Sequence, residues 1–413
     1  MITKLFKHKA IVSVIIAISL FILSSVLSAQ EDPILIGVAV AKTSNAALFG
    51  QEQIIGVELA EKYFNELGGV NGRPIEIVLE DTAGEETGAI SAFQTLLQQD
   101  VIGIMGPTYS QQAFAADPFA EEAGVPVIAP SNLAKGIPQI GEYISRISAS
   151  AAVVAPFAVR AALEIDPSIE RVSVFFAQDD TFATSETAVF QATVQQLGLT
   201  LIDPVQTFSK TDTDFSTQIS NALVDDPQLI VISGLAADGG ALVRQLREFG
   251  YEGLIVGGNG LSTINIFPIC QNYCEGLIVA QAYNYSADTK ANNAFRKLYN
   301  TEQGGEPPQF SAQAFSAIQV FVDSLKQVDD EQGLANLDIA TIRTEVNNVI
   351  LSGREYDTPL GVVSFDAEGD VNQKSFYVAQ IDMSDDGQTG EFVFLTLALA
   401  PLEEATPEAT PNS

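Results

Sequence analysis

The chain has 413 residues, with 20 Lys and Arg against 52 Asp and Glu, which gives a formal net charge of −32 at pH 7. This length is enough for two or three domains with sizeable cores. Such an excess of acid repels the phosphates of nucleic acids and the headgroups of anionic lipids, so the composition argues against both as partners. The one histidine of the chain is His8, near the N-terminus.

The first 29 residues have the pattern of a secretory signal. Lys4, Lys7 and Lys9 precede the apolar run AIVSVIIAISLFILSSVL, and small residues follow it near Ala29. A basic start, an apolar stretch and a small-residue cleavage site predict export to a periplasmic or extracellular space. The apolar run is long for a signal, so an uncleaved membrane anchor is the alternative. No cysteine lies near the cleavage site, which argues against a bacterial lipid anchor.

Along the rest of the chain, short runs rich in Val and Ile alternate with helix-length amphipathic segments. This alternation predicts βαβ units, and therefore parallel sheets with helices on both faces. The helix predicted between the first two strands has Val57, Ala60 and Phe64 on one face. The predicted strands form two series, one at 34–41, 75–80, 101–106 and 126–130, the other at 171–178, 229–234, 254–260 and 276–283.

Two such series predict an α/β protein of two doubly wound, Rossmann-like lobes. After residue 283, three helical segments (289–303, 310–328 and 339–351) precede further strands, so we expect the chain to return to both lobes through a multi-strand hinge. The tail PLEEATPEATPNS is acidic and rich in Pro and Thr, which predicts disorder. The predicted units are a signal peptide at 1–29, a first lobe at 30–149 and 282–352, a second lobe at 150–281 and 353–400, and a disordered acidic tail at 401–413.

The only two cysteines, Cys270 and Cys274, lie in the stretch ICQNYCEG. Export favours a disulfide between them, and the alternative is two free thiols. Zinc is disfavoured because two thiolates without histidine do not complete the usual set of four ligands.

Polar loops follow several of the predicted strands. In an open α/β sheet, ligands bind outside the carboxyl ends of the strands, where unpaired helix amides carry partial positive charge that suits a carboxylate. In GPTYSQQ (106–112) the strand ends, and the hydroxyls of Thr108, Tyr109 and Ser110 follow directly. Ser110 stands at the start of the next predicted helix, so it either contacts a ligand or merely caps that helix.

A second polar loop, APSNLAKG (129–136), carries Ser131 and Asn132. These side chains either face the same space or form an ordinary polar turn. Glycine-rich loops at 234–245 and 257–262 hold the matching positions in the second lobe. Neither gives G-x-G-x-x-G opening a helix in the first βαβ unit, which argues against a nucleotide cofactor.

The residue types of the chain give little support for a catalytic function. Without a histidine in the exported chain there is no Ser-His-Asp or Cys-His arrangement and no histidine-based metal site. Neighbouring acids such as Asp179 and Asp180 are expected by chance and are mostly solvated surface. Paired carboxylates leave one enzymatic alternative, a secreted hydrolase.

The order of motifs resembles the type I periplasmic solute-binding proteins of ABC importers, in the branched-chain amino-acid (leucine/isoleucine/valine) branch. The resemblance covers residues 34–383. It depends on the stretches ILIGVAVA, LFGQEQIIGVELA, FNELGGVNGRPIEIVLEDTAG, GIMGPTYSQQ, AEEAGVPVIAPS, DFSTQI, LVRQLREFGYEG, EPPQFSAQAFSAIQVF and TPLGVVSFDAEGDV.

The resemblance implies roles for individual residues. Ser110 matches the serine whose hydroxyl holds the ligand's carboxylate, with the Thr108 backbone beside it. Ser131 matches a residue whose backbone contacts the ligand. Phe49 stands where the family has an aromatic ligand neighbour, and Phe310 matches a side-chain wall residue.

The sequence also departs from the family pattern on the side that binds an ammonium. Asn259 stands in place of a glutamate that pairs with that group, and Phe182 replaces a tyrosine. Leu133 and Leu235 replace a threonine and an aromatic residue. A buried ammonium without a carboxylate partner is costly, so an unmodified α-amino acid is disfavoured unless Asp180 or Asp238 compensates.

The sequence therefore predicts an exported, monomeric, non-enzymatic solute receptor without cofactor or metal. It would close two lobes on an amino acid, an amide or a small carboxylate and present the closed form to a membrane permease with its ATPase subunits. The alternative among binding proteins is a sensor that passes its ligand-bound form to a signalling partner. The alternative from another class is the carboxylate-based hydrolase.

Overall fold

The computed structural model describes residues 32–395. The signal predicted at 1–29 and the tail predicted at 401–413 lie outside these residues. Within residues 32–395, no helix combines the length and the apolarity that crossing a bilayer requires.

The first lobe is built on a five-stranded parallel sheet. Its strands follow the order β2-β1-β3-β4-β5. They read as nearly continuous apolar runs because helices cover both faces of the sheet. The strands are β1 (Ile34–Val40), β2 (Ile75–Asp81), β3 (Ile104–Met105), β4 (Val127–Ala129) and β5 (Ile144–Arg146), and the helices between them are α1 (Ala47–Glu66), α2 (Glu86–Leu97) and α3 (Ser110–Ala123).

The second lobe is built on an eight-stranded sheet of order β16-β15-β11-β10-β9-β6-β7, with β8 also paired to β6. The strands from β6 to β11 are parallel, and β15 and β16 join one edge antiparallel. Its strands are β6 (Arg171–Ala177), β7 (Thr200–Leu201), β8 (Gln206–Phe208), β9 (Leu229–Ser233), β10 (Leu254–Gly257), β11 (Ile278–Gln281), β15 (Tyr377–Met383) and β16 (Gly390–Leu395), and its helices are α4 (Ala151–Ile165), α5 (Thr181–Gln196), α6 (Ser216–Leu223), α7 (Ala236–Glu248) and α8 (Phe267–Cys270).

After β11 the chain returns to the first lobe through α9 (Lys290–Glu302), α10 (Gln309–Gln332) and α11 (Ile339–Ile350). Helix α10 lies tightly against α1, because a Cβ added at Gly56 would stand only 2.2 Å from the carbonyl oxygen of Ser311. Side chains from α1, β1, α10 and α11 share one core.

A small antiparallel sheet precedes the return to the second lobe. Its strands are β12 (Tyr356–Thr358), β13 (Gly361–Phe365) and β14 (Val371–Gln373). Tyr356, Val363 and Phe365 pack into the core of the first lobe, although the sequence predicts that 353–400 belong to the second. Alternation along these short strands places one face inward but does not say which lobe it covers. The exact lobe boundaries stay predictions.

The chain therefore passes between the lobes after β5, after β11 and before β15. The prediction of two doubly wound lobes joined by a multi-strand hinge is confirmed.

Candidate ligand-binding site

A small cavity lies between the lobes, at the carboxyl ends of strands from both sheets. Its volume is about 20 Å³, close to the space that one ordered water needs. Loops after β1, β3 and β4 reach it from one side, and loops after β6, β9 and β10 reach it from the other. The lining residues are Phe49, Thr108, Tyr109, Ser110, Ser131, Leu133 and Phe310 of the first lobe, and Asp180, Phe182, Leu235, Asn259 and Gly260 of the second.

Ser110 is the first residue of α3, and its hydroxyl does not cap that helix. The capping contact comes from Gln112, whose Oε1 accepts from the Tyr109 amide at 3.0 Å. Ser110 Oγ accepts a long hydrogen bond of 3.4 Å from the Ala134 amide, so its own hydrogen is free to be donated. The amides of Ser110 and Gln111 have no acceptor within the described residues. The start of α3 therefore offers a hydroxyl and two amides to an anion.

The hydroxyls of Thr108 and Ser131 are already engaged inside the first lobe. Thr108 Oγ1 accepts from the Ala41 amide at 2.9 Å and donates to Gln53 Oε1 at 2.7 Å. Ser131 Oγ accepts from Gln53 Nε2 at 2.7 Å and donates to the Thr108 carbonyl at 2.7 Å. These residues fix the shape of the loops around Ser110. Gln53, at their centre, was missed because a glutamine within a helix carries no sequence signal of such a role.

Four aromatic rings contribute to the walls of the cavity. The ring centroid of Phe49 lies 5.2 Å from that of Phe310 and 5.8 Å from that of Tyr109, both in edge-to-face geometry. Leu133, Phe182 and Leu235 complete one apolar cluster with Phe49 and Phe310. A ligand in this cavity would contact apolar surface on most sides.

The second lobe places three buried acids at or behind its side of the cavity. Asp180 lines the cavity, and its Oδ1 caps α5 by accepting from the Ala183 amide at 2.8 Å. Asp238 Oδ1 accepts from the Leu235 amide at 2.7 Å. Glu186 accepts from Ser233 Oγ at 2.6 Å and from the Asn259 amide at 2.8 Å. The sequence indicated both aspartates as candidates, whereas Glu186 lies within a helix and carries no such signal.

Burial governs the ionisation of these acids. It raises the pKa of Asp238 to about 8 and that of Glu186 to about 7, with a further rise from the nearby Asp180. Burial also raises the pKa of Asp180 above its ordinary value, against lowering contributions that include the Ala183 amide and Lys210. The pKa of the Tyr109 phenol is raised by burial and by Asp180 and Asp238. Asp238 and Glu186 are therefore partly protonated near neutral pH.

Gln111 connects Asp180 to the first lobe. With its amide oriented so that both ends find a partner, Gln111 donates to Asp180 Oδ2 at 2.8 Å and accepts from Lys210 Nζ at 2.8 Å. Both carboxylate oxygens of Asp180 then have a donor.

Asn259 lies in the cavity wall but is held weakly there. Its Nδ2 donates to the Ala280 carbonyl at 3.5 Å, and its Oδ1 accepts from Gln309 Nε2 at 3.4 Å. Asn132 does not line the cavity. Its side chain is completely buried within the first lobe, where neither end of its amide has a partner. The loop turns this side chain inward, so the structure brings together the other eight predicted site residues without it.

A buried glutamate of the first lobe also contacts the second lobe. Glu52 Oε1 of α1 accepts from Thr263 Oγ1 at 2.5 Å and from Asn265 Nδ2 at 3.0 Å. Its Oε2 has no partner, and burial raises its pKa to about 8. The sequence does not predict this contact, because α1 and the loop at 263–265 are far apart in the chain.

The two cysteines are buried, with Cα atoms 5.4 Å apart, a separation that suits a disulfide. The bond itself stays a prediction. Among residues 32–395, no three His, Cys, Asp or Glu side chains are grouped so that they would hold a metal ion.

Comparison with known proteins identifies the family. The model of a family described as "Periplasmic binding protein" matches residues 33–388. The chain belongs to this family. Its members are solute-binding proteins and not enzymes, as the sequence resemblance implied.

Individual relatives are distant but match over nearly their whole length. The Leu/Ile/Val-binding protein homolog 3 of Brucella melitensis is 23% identical over 86% of this chain and 93% of that protein. The branched-chain amino acid substrate-binding protein LivJ of Streptococcus pneumoniae, solved with isoleucine, has a TM-score of 0.77 and 22% identity, covering 88% of this chain and 100% of that one. A solute-binding protein of Rhodopseudomonas palustris, solved with 3,4-dihydroxybenzoic acid, has a TM-score of 0.75 and 21% identity, covering 88% and 97%. At these identities the two structures establish the shared fold.

Proposed function

We propose that this chain is the exported solute-binding protein of an ABC importer and that it binds a small organic carboxylate between its lobes. The observation that carries the proposal is the start of α3, where the Ser110 hydroxyl and the unpaired amides of Ser110 and Gln111 meet an aromatic-walled cavity. Donors grouped at a helix start bind a carboxylate through hydrogen bonds and through the positive end of the helix dipole.

The opposite wall favours an amino acid as the ligand. A carboxylate bound at α3 leaves the other end of a small ligand facing Asp180 and Asn259. An ammonium there would pair with Asp180 and favour its ionised form. Asp180 would thus provide the compensation that Asn259, in place of a glutamate, cannot. Leu/Ile/Val-binding relatives and the isoleucine-bound neighbour agree with this ligand class.

A benzoate-like carboxylate is the second candidate. Phe49, Tyr109, Phe182 and Phe310 surround the cavity, and such rings stack well against an aromatic ligand. The dihydroxybenzoate-bound neighbour has the same fold. This ligand would need Asp180 to stay protonated, because a carboxylate there would face apolar ring edges instead of a cation.

Binding requires the lobes to move. A cavity of about 20 Å³ cannot admit a ligand the size of an amino acid, so the lobes must separate for access and close again around it. The three crossings between the lobes are the natural hinge. A membrane permease would recognise the closed form and reject the open one. A signalling partner, the alternative to the permease, would recognise the same difference in shape.

The experiment is native mass spectrometry of protein purified without added ligand, followed by calorimetry with leucine and with benzoate. We expect a co-purified small carboxylate or saturable binding of one of the two. A protein that binds neither and carries no anionic ligand would contradict the proposal. X-ray scattering with and without the ligand should then show a smaller radius of gyration for the bound form.

A further inference from the structure

The side chain of Gln111 crosses from the first lobe to the second beside the candidate cavity. Gln111 is the second residue of α3, and its backbone amide is one of the donors at the start of that helix. Its side-chain Nε2 donates to Asp180 Oδ2 at 2.8 Å, and its Oε1 accepts from Lys210 Nζ at 2.8 Å. We refer to these two hydrogen bonds as the Gln111 bridge. Because they join different lobes, separation of the lobes would break them.

Two other hydrogen bonds join the lobes without reaching the wall of the cavity. The Lys135 amide donates to Ser185 Oγ at 3.0 Å, and Thr263 Oγ1 donates to Glu52 Oε1 at 2.5 Å. None of these four residues lines the cavity, whereas Asp180 does. The Gln111 bridge therefore links closure of the lobes to a charged group in the cavity wall.

Asp180 has room for a ligand as well as for the bridge. Its Oδ1 accepts from the Ala183 amide at 2.8 Å, and its Oδ2 accepts from Gln111. An ionised carboxylate has about four acceptor positions, so about two of them remain. Asp180 is only 2% exposed and lines the cavity, so an ammonium held there would take a remaining position in place of water.

The bridge favours the charged form of Asp180. Burial raises the pKa of this carboxyl, and the Ala183 amide and Lys210 act against that rise. A hydrogen bond donated by Gln111 to the carboxylate acts in the same direction as Lys210. Negative charge on the other titratable groups around Asp180 opposes its ionisation. These groups are Asp179, Glu186, Asp238 and Tyr109.

We propose that Gln111 is a positioning residue whose side chain joins the lobes and presents Asp180 as a carboxylate, so that the site selects a ligand with an ammonium over a benzoate-like acid. This inference rests on the proposed function, because it names which of the two candidate ligands the closed site prefers. The bridge supports the carboxylate only while the lobes are closed. A ligand with an ammonium would therefore stabilise the same closed form that the bridge stabilises.

The first test follows the carboxyl carbon of Asp180 by carbon-13 NMR over a range of pH, with Asp180→Asn to assign the signal. It is made without ligand and again with saturating leucine or benzoate. Gln111→Leu keeps the backbone amide and a similar volume but removes both hydrogen bonds of the bridge. We expect the titration of Asp180 to move to higher pH in this variant, because the charged form loses a donor. Lys210→Met should move it in the same direction, because a nearby positive charge is lost.

Matched changes away from the cleft control for the type of side chain. Gln94→Leu on α2 and Lys290→Met on α9 alter exposed residues and should leave the titration of Asp180 in place. If Gln111→Leu does not fold, as its melting temperature would show, Gln111→Ala repeats the test without adding apolar surface.

The second test compares the affinities for leucine and benzoate by calorimetry at neutral pH. Gln111→Leu should weaken leucine binding about 10- to 150-fold, because a hydrogen bond to a charged group is lost. It should weaken benzoate binding only about 2- to 10-fold, because the bond lost is then to a neutral group. A residue with only a structural role would weaken the binding of both ligands equally.

Three results would overturn the inference: an Asp180 titration that Gln111→Leu leaves unchanged with and without ligand, equal losses for leucine and benzoate, or wild-type binding of benzoate without leucine. In each case a carboxylate that still binds would leave the proposed function standing. If the wild type binds neither ligand and carries no anionic one, the proposed function fails. A titration of Asp180 that moves to higher pH in Gln111→Leu would then still support the role of Gln111.

Discussion

The two lobes meet the candidate cavity with opposite chemistry. The first lobe presents the donors at the start of α3, and behind them a closed network of Thr108, Ser131 and Gln53. The second lobe presents Asp180, with Asp238 and Glu186 buried nearby. The first lobe therefore offers hydrogen-bond donors to a negatively charged group, and the second lobe offers carboxylates to a positively charged one. For the ligand with an ammonium that we propose, this difference between the lobes would set the orientation.

The largest effect should come from removing the negative charge of the second lobe. Asp180→Asn keeps an oxygen that caps α5, so the helix should remain intact. If the ligand has an ammonium, the loss of its buried partner should cost about 2–4 kcal/mol, or roughly 30- to 1,000-fold in affinity by calorimetry. If the ligand is benzoate-like, affinity should be unchanged or improved, because a buried acid no longer faces the ring.

The matched control for this change is Asp179→Asn. Its carboxylate accepts from Ser209 Oγ and from the Lys210 amide, outside the cavity wall, so ligand affinity should not change. Equal losses in the two variants would mean that net charge, and not the wall, governs binding.

The next effect concerns the donor side. Ser110→Ala should weaken binding by about 1.5–3 kcal/mol, or roughly 10- to 150-fold, because a hydrogen bond to a charged group is lost. The free energy of unfolding of Ser110→Ala should hardly change. Thr108→Val should behave in the opposite way, with about 1–3 kcal/mol lost in the free energy of unfolding, because Gln53 and the Ala41 amide lose a buried partner. If Ser110→Ala lost as much free energy of unfolding as Thr108→Val, the Ser110 hydroxyl would have a structural role as well.

The contrast between these hydroxyls marks the limit of what the sequence predicts. The order of apolar runs was enough for both sheets, since strands buried on both faces have a clear pattern. The position of Ser110 at a helix start followed from Gly106-Pro107 and the strand before it. That Thr108 and Ser131 have their hydroxyls engaged could not be predicted, because both bond with Gln53, which lies more than 50 residues away in the chain.

The acid side was harder to predict for the same reason. Neighbouring acids such as Asp179 and Asp180 look alike in the sequence, yet one lies outside the wall and the other lines the cavity. Asn132 was expected to line the cavity beside Ser131, but its side chain is completely buried within the first lobe. Which of several polar residues in a loop faces the ligand depends on loop geometry, which composition does not determine.

The buried acids of the second lobe should also make stability depend on pH. Burial raises the pKa of Asp238 to about 8 and that of Glu186 to about 7, so the folded state binds protons that the unfolded state releases above about pH 5. The free energy of unfolding should therefore fall as pH rises, by on the order of 1–2 kcal/mol per group between about pH 6 and pH 8. Denaturant titrations at several pH values measure this.

Asp238→Asn isolates the contribution of one group. Asn keeps the oxygen that accepts from the Leu235 amide but cannot ionise, so the variant should lose stability less steeply with pH than the wild type. Asp225→Asn, an exposed change of the same charge, should leave the slope as it is. A slope equally steep in Asp238→Asn would show that Asp238 is already ionised at neutral pH.

The smallest effect is expected where the lobes meet outside the cavity. Glu52 accepts from Thr263 and Asn265 through one oxygen only, and its pKa of about 8 keeps it protonated at pH 6. Glu52→Gln preserves that oxygen, so the free energy of unfolding should change by less than about 1 kcal/mol at about pH 4, where the unfolded state also keeps Glu52 protonated. The wild type loses stability as pH rises through 8, whereas the variant does not, so the variant should become the more stable protein at about pH 9. Glu52→Ala leaves both donors unpaired and should be less stable at either pH. If Glu52→Gln were as unstable as Glu52→Ala at both values in denaturant titrations, the lobes would be joined by an ionised carboxylate, and the first lobe would have a negative charge like the second.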